Sequence, residues 1–97
     1  MEEYKEMLED MINRLLSGQW SVPKFKAEFY MFYLEEVPGE VLSEDEWRFY
    51  SAILAGLDRT FAAPDSLSRQ SGWMNYEEYI DYVWHQRKRY LKAIKNK

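Results

Sequence analysis

Apolar residues at Tyr4, Met7, Leu8, Met11, Ile12 and Leu15 recur at the i, i+3, i+4, i+7 spacing of an amphipathic helix. Ser17-Gly18 ends that run, because glycine takes the C-cap conformation that other residues resist. Ser21 then reads as an N-cap, with Pro23 in the first turn where its missing N–H does no harm. The second helix is expected from Val22 to Glu36. Val22, Phe25, Phe29, Phe32 and Tyr33 share one face, while Tyr30, Met31 and Leu34 widen the apolar surface almost all round. Such a helix is either central to the fold or leaves aromatic surface exposed to a partner. Pro38-Gly39 stops it.

Ser43-Glu44-Asp45-Glu46 has the spacing of a capping box, and its three acids suit the positive end of a helix dipole. The third helix is expected to bury Trp47, Tyr50, Leu54, Leu57 and Phe61, with Phe49 and Ile53 beside them. Residues 62–72 hold one proline and three serines and read as the longest loop. Asn75-Tyr76-Glu77-Glu78 is a second capping box. It opens a fourth helix whose buried stripe is Tyr76, Tyr79, Ile80, Val83, Leu91 and Ile94. No segment alternates with a period of two. Ninety-seven residues fill one core, so the expected fold is a single all-α domain over 1–97, an antiparallel four-helix bundle.

Charge changes this picture more than overall composition does. Residues 87–97 contain Arg87, Lys88, Arg89, Lys92, Lys95 and Lys97 and no acid, which the negative end of the last helix dipole can explain. Residues 1–86 carry seventeen acids against seven bases, a net of −10. Between Ala27 and Trp47 stand Glu28, Glu35, Glu36, Glu40, Glu44, Asp45 and Glu46, without one Lys or Arg. A body this acidic repels phosphate and attracts a basic partner. The seventeen aromatic residues serve equally as core and as interface anchors.

Chemistry-bearing motifs are sparse. The chain has no cysteine, and the acidic start Met1-Glu2-Glu3-Tyr4 is unlike a signal peptide, so a cytoplasmic location is expected. No apolar run approaches the ~20 residues that span a bilayer. His85 stands alone, with only Asp81 four residues before it, and the glycines at 18, 39, 56 and 72 are isolated. Glu35 and Glu36 diverge by about 100° on a helix, a poor arrangement for shared proton chemistry. Neither catalysis nor a cofactor or metal is therefore expected. Nucleic-acid binding by residues 87–97, with Tyr82, Trp84 and Tyr90 interleaved, would be opposed by the acidic remainder.

The segment Leu15-Leu16-Ser17-Gly18-Gln19-Trp20-Ser21-Val22-Pro23-Lys24-Phe25-Lys26-Ala27-Glu28-Phe29 resembles the first two helices of the colicin D immunity proteins and their relatives in contact-dependent inhibition systems. Asp58-Arg59, Pro64-Asp65 and Asn75-Tyr76-Glu77 continue the likeness. The resemblance implies a four-helix protein that neutralises a cognate ribonuclease toxin, usually one cutting tRNA, by filling its basic cleft with carboxylates. It singles out Asp58 and Asp65. The charge argument independently proposes Glu35, Glu36, Glu40, Glu44, Asp45 and Glu46, with Tyr50 as an aromatic anchor. The expected partner is a nuclease domain bound one to one by a monomer, with no nucleic acid or membrane. The rival expectations are a helical adaptor using the aromatic and acidic surface, and a nucleic-acid accessory protein using the basic end.

Overall fold

The computed structural model describes residues 2–95; Met1 and Lys97, which entered the readings above, lie outside them. The described chain is all-helical. It comprises α1 (Glu2–Leu16), α2 (Val22–Met31), α3 (Glu44–Leu57), α4 (Ser66–Gln70) and α5 (Tyr76–Lys95). A π-helical turn, Phe32–Glu36, prolongs α2, and a 3-10 turn, Gly39–Val41, leads into α3. Thr60 and Met74 form an isolated parallel bridge.

The helix ends follow the expected local chemistry. Gly18 takes φ +82° after α1. Trp20 then closes the corner, with the Arg14 guanidinium and the Lys24 ammonium 5.5 and 5.6 Å from its ring. The Ser21 hydroxyl accepts from Lys24 N at 3.2 Å. Both capping boxes are complete. Glu46 N donates to Ser43 Oγ and Ser43 N to Glu46 Oε1, at 3.2 and 2.7 Å. Asn75 and Glu78 exchange the same pair at 2.9 and 2.8 Å.

Helix α3 packs against α5, α1 against α2 and α5, and α2 against α3. Each pair runs in opposite directions. Phe49 stacks on Tyr90 while the Tyr79 hydroxyl reaches Ile53 O; Arg87 bonds Asn13; Tyr33 meets Ser51 while Tyr30 meets Asp58. The core is Leu8, Ile12 and Leu15 of α1, Phe25 and Phe29 of α2, Tyr50, Ile53 and Leu57 of α3, and Tyr79 and Val83 of α5. Phe25 and Phe29 stack at 4.9 Å, and Phe29 stacks on Tyr33 at 5.6 Å.

Four expectations need correction. The second helix is α-helical only to Met31, after which Val37 N reaches back five residues to Phe32 O at 3.2 Å. The buried face of α3 is turned toward Phe49 and Ile53, leaving Trp47 54% exposed. Phe61 lies beyond the end of that helix and stacks on Trp73 at 4.7 Å, also 54% exposed. The loop at 62–72 contains α4, because the Asp65 carboxylate caps Ser68 N at 2.8 Å. Finally, Leu91 is rotated about 80° from Val83 around α5, and both it and Ile94 stay exposed.

Candidate functional site

Two of the nine residues picked out from the sequence are buried and drop out of any contact surface. Tyr50 has no exposed area, because α3 turns it into the core between Phe49 and Tyr33. Its hydroxyl has no hydrogen-bond partner among the described residues. Burial raises its pKa, and nearby Glu9, Tyr90 and Glu46 add to that. An unpaired buried hydroxyl is a cost, so Tyr50→Phe should leave stability unchanged or raise it by up to about 1 kcal/mol in a denaturant titration. A loss above that amount would mean the hydroxyl is satisfied.

Glu46 is 6% exposed; it completes the capping box, and its Oε2 lies 2.5 Å from Lys5 Nζ. Burial pushes its carboxyl upward, but Lys5 together with the Ser43 N–H and hydroxyl outweighs burial and sets it below the ordinary 4.5. A carboxyl depressed on folding stabilises fully above its unfolded pKa and loses that contribution as pH falls through the folded value. Glu46→Gln should therefore flatten the acid limb of a stability–pH profile below about pH 4.5, and Glu46→Ala should cost about 2 kcal/mol at neutral pH. An unchanged acid limb would remove the ion pair from the account.

The remaining acids do not form one uninterrupted negative face. Glu44 pairs with Arg48 at 2.6 Å. Asp45 shares a crevice with Arg48, Phe49, Arg89 and Tyr90, so the basic end of α5 runs beside the acidic start of α3. Asp58 and Asp65 lie past the other end of α3, about 20 Å away for its fourteen residues. Glu35, Glu36 and Glu40 are exposed and form no ion pair with a described residue.

What the structure does bring together is an apolar ridge between carboxylates. Ala27, Tyr30, Met31 and Leu34 stand at i, i+3, i+4 and i+7 along α2 and its π turn, Tyr30 half-buried against the edge of the core and the other three exposed. Met31 is 63% and Leu34 58% exposed. With Glu35 at one end, these four line a shallow depression. At the other end the Tyr30 hydroxyl donates to Asp58 Oδ1 at 2.5 Å, and donating that bond to a carboxylate is the main reason its pKa lies above the ordinary phenol value. Asp58 is the α3 C-cap and pairs with no described cation. Tyr30 is also the wall of a second groove of about 430 Å³, lined by Pro23, Lys26, Leu57, Thr60, Phe61 and Tyr76 among others.

Asp58 and Glu35, both singled out in the sequence, stand at the two ends of this ridge, whereas Ala27, Met31 and Leu34, its apolar part, were not among the residues singled out. Their spacing was the available signal, hidden because the same helix carries a second apolar stripe for the core. Asp65 is exposed, but its carboxylate is held below the usual range first by the Ser68 N–H it caps. A Lys at 65 would remove the cap, so loss of binding in such a variant would have two causes; Asp65→Asn keeps the cap. Among the described residues no three His, Cys, Asp or Glu are grouped so as to hold a metal ion. No described helix is long and apolar enough to cross a membrane. In comparison with known proteins, no family model, curated protein or solved structure matches this chain.

Proposed function

We propose that this chain is an immunity protein, an antiparallel four-helix bundle that binds and neutralises a bacterial ribonuclease toxin, of the kind that cuts tRNA, in the cytoplasm. The observation that carries the reading is the ridge of Tyr30, Met31 and Leu34 set between the carboxylates of Glu35 and Asp58, neither of them neutralised by a described cation. A nuclease must hold phosphates with cations, so a plug for its cleft needs anions in place of phosphate and apolar area for dry contact. Charges at the rim steer the encounter, and exposed Met and Leu supply the anchor. The resemblance of residues 15–29 and of Asp58 and Asp65 to the colicin D immunity proteins points the same way. The reading assigns the chain no reaction, no cofactor and one nuclease domain per chain.

The test is co-expression with the C-terminal domain encoded by the adjacent upstream reading frame. Growth should be restored and tRNA should remain intact. Continued tRNA cleavage with this chain present at equal or higher level would refute the proposal. The apolar character of the ridge also suits a helical adaptor for a neutral partner. Binding that is indifferent to salt would favour that reading, since nuclease mimicry weakens steeply as salt rises.

A further inference from the structure

The outer edge of the α1–α5 pair carries charges that neither the core nor the ridge uses. The helices run in opposite directions and are pinned where Arg87 Nη1 donates to Asn13 Oδ1 at 2.7 Å. Glu9 and Leu91 line one crevice a turn further on. Glu6, Glu9 and Asn13 lie along one stripe of α1, and Trp84, Lys88, Leu91 and Lys95 along one stripe of α5. All seven are exposed, Trp84 by 44% and Leu91 by 47%. Glu6, Glu9, Lys88, Lys92 and Lys95 form no ion pair with a described residue. An acidic row thus stands directly beside a basic and apolar one.

We infer that this face docks a second copy of the chain, α1 of each copy lying over α5 of the other. A twofold axis parallel to the helices exchanges left and right, so each acidic row meets the partner's basic row, and the contact is self-complementary. Equal rises counted from the Asn13–Arg87 bond bring Lys95 within one residue's rise of Glu6, with Lys88 and Lys92 bracketing Glu9. Trp84 and Leu91 are then covered by the partner's α1. A polyanion fits this face less well, because Glu6 and Glu9 beside the lysines repel phosphate. A basic peptide meets the lysines. Only a surface with the same two rows in reverse order satisfies both, and a half-turn of this face supplies it. The α2 ridge is made of other residues and stays open in each copy.

Sedimentation equilibrium of the full chain tests the inference without any toxin. At about 500 µM protein the mass should be twice that of one chain in about 20 mM salt and fall to that of one chain in about 500 mM salt. Lys88→Glu with Lys95→Glu should be monomeric at low salt, as should Glu6→Lys with Glu9→Lys, each retaining the helical circular dichroism spectrum. Their equimolar mixture should recover the doubled mass, because each reversed row then faces its opposite. The native chain alone decides the matter if a variant fails to fold. A monomer at low salt overturns the inference. So does a variant that dimerises by itself, a mixture of folded variants that stays monomeric, or a native monomer that binds single-stranded RNA through the lysine row.

Discussion

A leucine in place of Gly56 should lower the unfolding free energy by about 3 kcal/mol, the upper end of what overpacking a core costs. Thermal or urea unfolding reads it as a lowered midpoint. A Cβ at Gly56 would lie 2.6 Å from Tyr82 Cε1 and 3.0 Å from Tyr79 Cε1. Neither ring retreats freely. Tyr79 is fully buried, packs against Phe25 at 6.4 Å and donates to Ile53 O at 2.9 Å. Tyr82 is half-buried and donates to Ala52 O at 2.8 Å. Both hydroxyls thus grip α3 one turn before the glycine and fix the separation of the two helices. Alanine is the milder case. It crowds the same rings, but recovers about 1 kcal/mol of helix propensity, so the net loss should be nearer about 1 kcal/mol. Native stability in the leucine variant would show that α3 and α5 do not approach this closely.

The second large effect belongs to the ridge. Asp58→Lys combined with Glu35→Lys should weaken binding of the nuclease domain at least about a hundredfold, or about 2.7 kcal/mol, mostly through faster dissociation. Both side chains are exposed and bear no buried contact, so the helical spectrum should survive. Met31→Asp should produce a comparable loss through the apolar part of the contact, where exposed anchors carry most of the energy. Glu44→Lys is the control. That residue sits at the far end of α3 and is already paired with Arg48, so affinity should change by less than about threefold. If Glu44→Lys weakened binding as much as the ridge variants, the contact would lie along the Glu36–Asp45 stretch instead.

How much of this was legible in the sequence depended on the range of the interaction. Helix ends were readable because a cap needs residues only three apart, as at Ser43 with Glu46 and Asn75 with Glu78. The buried face of α3 was less so. Trp47 and Leu54 are as apolar as Phe49 and Ile53, and only packing against Tyr79 and Tyr90 decides between the two stripes. The π turn after Met31 left no local mark beyond a run of apolar residues that one α-helical stripe could not absorb. Charges were the least legible. The stretch from Glu35 to Glu46 looks uniform along the chain, yet Lys5 of α1 takes Glu46 out of it and Arg89 of α5 comes to stand beside Asp45. Conversely, Tyr30 and Asp58 are distant in sequence, and only the opposed directions of α2 and α3 join them. The resemblance expected from the sequence singled out Asp58 but gave no sign of the apolar ridge beside it.

The most direct test is a titration of the purified nuclease domain with this chain at low salt, following tRNA cleavage. Cleavage should fall linearly and end at one chain per nuclease domain, with the end point lost in the Asp58→Lys, Glu35→Lys variant. Undiminished cleavage at a severalfold excess of the folded native chain would contradict the account.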